Sequence, residues 1–203
     1  MAIQSRNPLS HELNSGGAAL VVRAMNIQDL IAHIAQATTS VFSALKNEHP
    51  DEDFYAFALY TDNSAMSVVA AGNSEQALEE VLKNADERSP EQDAYYRWAS
   101  SEWLYEAFHG SEFKGVSKTV RESADRSNFR KFKVDVHAAM IEALRTVDVD
   151  GLFGTGLDRE KIIVFVTITD DDNAEQFEND SAKQLNSPAA YQRFLNRYDV
   201  AGS

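Results

Sequence analysis

The segment Ile162-Ile163-Val164-Phe165-Val166-Thr167-Ile168 constrains the fold of this chain more than any other. It is an almost unbroken apolar run rich in β-branched side chains, which suit an extended backbone. A strand with one wet face alternates apolar and polar residues, whereas a strand without alternation must be covered on both sides. The run therefore predicts a central strand with helices packed above and below it.

Other segments supply the partners. Phe54 to Thr61 reads as a strand, Asp62-Asn63-Ser64 as turn chemistry, and Met66 to Ala71 as the returning strand of a hairpin. Asn26, with Asp29 three residues on, reads as the start of a helix. Leu30, Ile31, Ile34, Val41, Phe42 and Leu45 line one side of it, and it stops before Pro50. Gly72-Asn73-Ser74 opens a further helix, with Asn73 and Gln76 as a capping box and Leu78, Val81 and Leu82 turned inward. Phe129, Phe132, Val136, Met140, Ala143 and Val147 keep a three-four spacing, which is one apolar helical stripe. Helical material, including Tyr191, Phe194 and Leu195, follows the late strand.

Seven aromatics fall between Tyr95 and Phe113, both tryptophans among them. Ala94, Tyr96 and Trp98 alternate with Tyr95 and Arg97, as in a strand with one wet face. Ser100 or Ser101 then caps a short helix carrying Trp103, Leu104, Ala107 and Phe108 on one face. This spacing turns Tyr96, Trp98, Trp103, Leu104 and Phe108 inward. It leaves Tyr95, Arg97, Glu102, Tyr105 and Glu106 as an outward edge, the first candidate partner-binding residues.

The fold expected is α+β: a small, mostly antiparallel sheet packed by several helices in a single domain. Residues 1–25, with Pro8 and Ser15-Gly16-Gly17, read as a flexible leader, 26–198 as the domain and 199–203 as a tail. The 203 residues are 43% hydrophobic, enough to bury one real core. The chain has no cysteine, so disulfides and thiolate chemistry are excluded and a reducing compartment suits it. Its apolar runs are too short to cross a bilayer, and no signal-peptide pattern opens the chain, so the expected location is the cytoplasm. The net charge of −13 opposes general nucleic-acid binding and suits docking onto a basic partner.

No constellation for catalysis stands out. Asp170-Asp171-Asp172, with Glu175, Glu178 and Asp180, could offer oxygen ligands to a cation. The spacing is not that of a calcium loop, and neighbouring strand-end carboxylates diverge, so a solvated strand end is the better reading and no metal is assigned. Asp170, Asp171 and Asp172 instead join the candidate partner-binding set. Lys114, Lys118, Arg121, Arg126, Arg130, Lys131 and Lys133 make a basic patch without exposed interleaved aromatics. Gly151-Leu152-Phe153-Gly154-Thr155-Gly156 follows a helix and precedes a strand, the reverse of a dinucleotide loop. The five histidines are scattered, and His137 flanks a helix stripe as a structural residue. Glu102 and Glu106 sit beside tryptophans, where a carboxyl group can act as an acid, but they fit a helix's first turn and wet face. Catalytic residues and cofactors are assigned as none.

Several of these pieces together resemble the bacterial domain-of-unknown-function family 4303. They are Phe54-Tyr55-Ala56-Phe57-Ala58-Leu59, Tyr96-Arg97-Trp98-Ala99-Ser100-Ser101-Glu102-Trp103, the Gly151-Leu152-Phe153-Gly154 loop, and the strand from Ile162 to Ile168 ending at Asp170. The resemblance covers about residues 27–195. It implies a small acidic accessory or immunity-type protein of the kind found beside bacterial toxin systems, and it carries no catalytic residues. Three functions follow as expectations. The first is binding to a basic protein such as a toxin. The second is a ligand or enzymatic pocket under the tryptophan pair with Glu102, Asp170 and Arg97 as polar groups. The third is a scaffold subunit.

Overall fold

The computed structural model describes residues 24–86 and 88–199 and builds them around one four-stranded sheet. Strand β1 (Phe54–Asp62) pairs antiparallel with β2 (Val69–Ser74), and β2 with the two-residue β3 (Tyr105–Glu106). On its other side β1 runs parallel to β4 (Ile163–Thr169), giving the order β3-β2-β1-β4. The architecture is α+β and the sheet mostly antiparallel, as the sequence predicts.

β4 is covered on both faces, yet it lies at the sheet's edge and not at its centre. Helix α7, the element Ala174–Leu185, makes this possible by laying side chains along the open edge. The Asn186 amide accepts from the Val164 N–H at 2.9 Å and donates to the Val164 carbonyl at 2.7 Å. The Ser181 hydroxyl does the same for Val166, at 2.9 and 3.1 Å. An amide and a hydroxyl thus stand in for a fifth strand along the middle of the edge, where Val164 and Val166 offer no free ladder groups to another chain.

Helix α1 (Ile27–Glu48) starts at the Asn26 cap and buries Leu30, Ile34, Val41, Phe42 and Leu45. It packs with α4 (Lys114–Glu122) and α5 (Phe129–Val149) on one face of the sheet. There Phe42 meets Phe57 edge-on at 4.7 Å and Phe153 at 5.2 Å. Phe153 hangs from the glycine loop, where Gly151 and Gly154 take φ of +83° and +94°, so the loop is a tight connection that plugs the core. The α5 stripe is buried from Phe132 to Val147, but Phe129 at its start is exposed.

The opposite face holds Tyr55, Ala56, Ala58, Trp103, Phe165 and Phe194. An irregularity in the β1 register between Phe54 and Ala56 lets the consecutive Tyr55 and Ala56 share that core. Phe194 comes from α8 (Pro188–Leu195).

Several expectations are corrected. Gly72-Asn73-Ser74 belongs to β2, and helix α2 (Glu75–Lys83) is capped by Ser74, whose hydroxyl accepts from the Ala77 N–H. Gly72 lies under α1, where a Cβ would stand 2.7 Å from the Leu45 Cδ2. The Ala94–Trp98 segment is not a strand but the end of helix α3 (Pro90–Trp98). Ser89 caps α3 and Pro90 presets its first turn, a start signal that outweighs a five-residue alternation. The short helix expected at Trp103–Phe108 is a 3-10 turn (Ser100–Glu102) leading into β3. Tyr105 is therefore buried and Leu104 exposed, the reverse of the helical reading. Most of the expected leader lies outside the described residues, as do residues 200–203 of the tail. At the leader's end, Met25 donates its N–H to Asp125 and packs on the core.

Replacing Asn186 by Ala strips both polar groups of Val164 of their partner. We expect a loss of about 1–3 kcal/mol, read as a lower urea midpoint, with Asn186→Asp recovering only the accepting half.

Candidate functional site

The eight residues proposed from sequence do not come together. Asp170, Asp171 and Asp172 follow the end of β4, at the far end of the sheet from α3. Asp171 is held by the Asn173 N–H and faces Lys133 at 3.8 Å; Asp170 and Asp172 are exposed. Tyr105 and Glu106 occupy the opposite edge strand. The Tyr105 hydroxyl donates to Glu52 at 2.7 Å, and Glu106 takes the Tyr60 hydroxyl. Tyr95 on α3 donates its hydroxyl at the surface to Glu102 of the 3-10 turn, at 3.2 Å. Of the eight, Arg97 alone lines the cleft beside Trp98, so the pocket expected from Glu102, Asp170 and Arg97 is not formed by that trio.

The cleft has about 820 Å³ of space and opens beside Trp98. Its origin is a step in the sheet. The pairing of β4 begins opposite Ala56, so Phe54 and Tyr55 at the start of β1 have no β4 neighbour. The chain before β4 turns off instead into helix α6 (Gly156–Lys161). Phe54, Tyr55 and Trp98 form the aromatic side of the notch, with Ile162 and Ile163 beside them. Lys46 walls it from the last turn of α1, Glu52 and Asp53 from the α1–β1 connection, Glu75 and Arg97 from α2 and α3, and Asp158, Glu160, Lys161 and Arg193 from α6 and α8.

Arg97 organises one wall. Its carbonyl, at the C-terminal end of α3, accepts from the Tyr55 hydroxyl at 2.8 Å and from the Trp103 indole at 3.1 Å. Tyr55 also accepts from Asn73 at 2.8 Å. Burial, reinforced by Glu75 and moderated by Arg97 and Asn73, pushes the Tyr55 phenol well above its ordinary range, so it stays a donor. The Arg97 guanidinium lies 4.3 Å over the Tyr55 ring and is gripped through both nitrogens by Glu75. Trp98 stands edge-on to Tyr55 at 5.6 Å and to Phe194 at 5.4 Å.

At the other end of the sheet the basic patch holds structure. Arg126 donates to the carbonyls of Ser64 and Ala65 at 2.8 Å each, and Lys133 to Asn63 at 2.5 Å. His137 lies one turn after Lys133 against the Phe177 ring, with its Nε2 buried and without a partner among the described residues. Burial, then Lys133, pulls the imidazole down to about 4, against a smaller opposing pull from Asp171.

Sequence reasoning missed Lys46, Asp53, Glu75, Lys161 and Arg193. They reach the cleft from separate segments, and no local spacing marks them. The family model described as "Domain of unknown function (DUF4303)" matches residues 34–187. None of the curated proteins and none of the solved structures compared matches the chain.

Two outcomes follow. Tyr55→Phe removes the hydroxyl shared by Arg97 and Asn73, and should cost about 1–3 kcal/mol in chemical denaturation. His137 is neutral in the fold, while the unfolded chain protonates it near its ordinary 6.5. Stability should therefore fall as pH drops from about 6.5 to about 4 and level off below, by at most about 3 kcal/mol. His137→Phe should flatten that segment of the stability–pH curve.

Proposed function

This chain belongs to the DUF4303 family, and we propose that it serves as a protein-binding domain for a basic partner. In its most specific form it is an immunity-type inhibitor that covers the working surface of a bacterial toxin in the cytoplasm.

One observation carries the reading: the charge of the edge beside the cleft. From residue 47 to residue 82 the chain has eight carboxylates and no lysine or arginine. The fold gathers most of them. The Asp53 N–H donates to Gln76 at 2.8 Å, the Glu75 N–H to the Asp53 carbonyl at 3.1 Å, and Ser74 to Glu52 at 2.5 Å. Asp51, Glu52 and Asp53 are thereby set against the first turn of α2, with Glu79 and Glu80 one turn further on. This predominantly acidic edge, with Lys46 beside it and Lys83 paired to Glu79 at 3.0 Å, speeds encounter with a basic partner and sets its orientation. The adjoining aromatics supply the anchor that charge alone does not.

The cleft favours a second reading, a small-ligand or enzymatic pocket, because charged groups from several elements converge on it. Arg97 would be its central group.

Coexpression with the products of neighbouring genes separates these readings. We expect one neighbour to be toxic alone, to be neutralised by this chain and to form a complex with it. If no neighbouring product is toxic, bound or neutralised, the protein-binding reading fails. In a complex, exchanging Asp51, Asp53 and Glu79 together for Lys should slow association about tenfold at low salt, while the isolated variant remains folded by circular dichroism. Stopped-flow rates across ionic strength are the readout.

A further inference from the structure

We infer that the cleft beside Trp98 is a receptor for a guanidinium group, an arginine side chain presented by the partner. This deepens the protein-binding reading and rests on it.

The molecule itself shows what the place accepts. The Arg97 guanidinium already lies over Tyr55, 4.3 Å from the ring centroid, and within 5.9 Å of Trp98, with the Glu75 carboxylate across both nitrogens. Aromatic faces plus a bidentate carboxylate are the surroundings that a guanidinium prefers and an ammonium uses less well. Arg97 fills one side of that arrangement, and the notch beyond it is open.

The carboxylates around the opening decide the sign of the guest. The cleft's own cations are largely engaged: Arg97 with Glu75, Lys161 with Asp158 at 2.7 Å, and Arg193 with the Glu160 carbonyl. Lys46 stands at the mouth over the Phe42 ring, 5.7 Å from its centroid. Glu52, Asp53 and Glu160 have no lysine or arginine within ion-pair distance among the described residues. Their hydrogen-bond donors are Ser74 and Tyr105 for Glu52, Gln76 for Asp53, and Ser187 for Glu160, and the His49 Nδ1 stands 3.2 Å from Glu52. Among the described residues, three carboxylates without a lysine or arginine partner stand against the Lys46 ammonium and the Arg193 guanidinium, whose carbonyl contact leaves its charge in place, so the excess has room for one incoming cation. An arginine laid along Trp98 would exchange water for an aromatic face and reach Asp53 and Glu52 with its fork.

The test uses the full chain labelled with ¹⁵N and three capped tripeptides, acetyl-Gly-X-Gly-amide with X as arginine, lysine or citrulline. With arginine we expect saturable shifts of the Trp98 indole signal and of the amides at 52–54 and 97, at millimolar concentration. The Trp103 indole, which is bonded to the Arg97 carbonyl, should move less. Citrulline, the same shape without charge, should leave these signals in place, and lysine should bind several-fold more weakly. Asp53→Asn, an exposed position, should weaken arginine binding at least threefold with unchanged melting; Glu160→Gln is a second, independent variant. Absent saturation, equal shifts with citrulline or lysine, or indifference to both variants would overturn the assignment. If arginine fails to enter the cleft while a toxin is still neutralised on coexpression, the assignment falls and the protein-binding reading stands. If arginine enters but no neighbouring product is bound, the protein-binding reading falls instead.

Discussion

The Arg97 carbonyl, held by Tyr55 and Trp103 together, is the acceptor on which the second core and the cleft depend. A helix ends with carbonyls that have no partner in the next turn. In α3 one of them is taken by a hydroxyl from β1 and an indole from the chain entering β3. That acceptor ties a peripheral helix to the sheet at two points. It sets Trp98 against Phe194 and brings Arg97 over Tyr55. The second core, the aromatic side of the cleft and the Glu75 grip all depend on where α3 stops.

The same economy appears at the sheet's other margin. β4 is apolar on both faces and bordered by a strand on one side only. Such a strand would invite pairing with other chains were its outer hydrogen-bonding groups left bare. Ser181 and Asn186 meet them with the same donors and acceptors a strand would present. They are placed by a helix that contributes Ala182 to one core and Leu185 to the other.

Much of the fold was legible in the chain. The α1 cap at Asn26, the hairpin, the α5 stripe and the doubly covered β4 rest on long periodic segments or on residues with one plausible use. The errors came where the signal was short. Five alternating residues at 94–98 imitate a strand, and only the Ser89-Pro90 start upstream marks the helix. Tyr105 looked outward because helical spacing was applied to a stretch that is extended. The position of β4 at the edge was invisible, because an apolar strand capped by side chains reads like one capped by strands. The cleft was least legible of all: its charged walls come from five stretches of chain, and only Arg97 lay near a motif.

The order in which the sheet closes follows from its one parallel pair. β1 and β2 are neighbours in sequence and can pair as soon as both exist. β4 joins β1 across a separation on the order of a hundred residues, a long loop to close before any ladder bond is gained. Among the described residues, its outer edge is met at Val164 and Val166 by residues 186 and 181, which leave the ribosome later still. The growing chain therefore carries a bare, strongly apolar strand until residues 181 and 186 have emerged. Its exposure to misassociation ends when α7 folds down, so this one helix acts on the nascent protein as a latch.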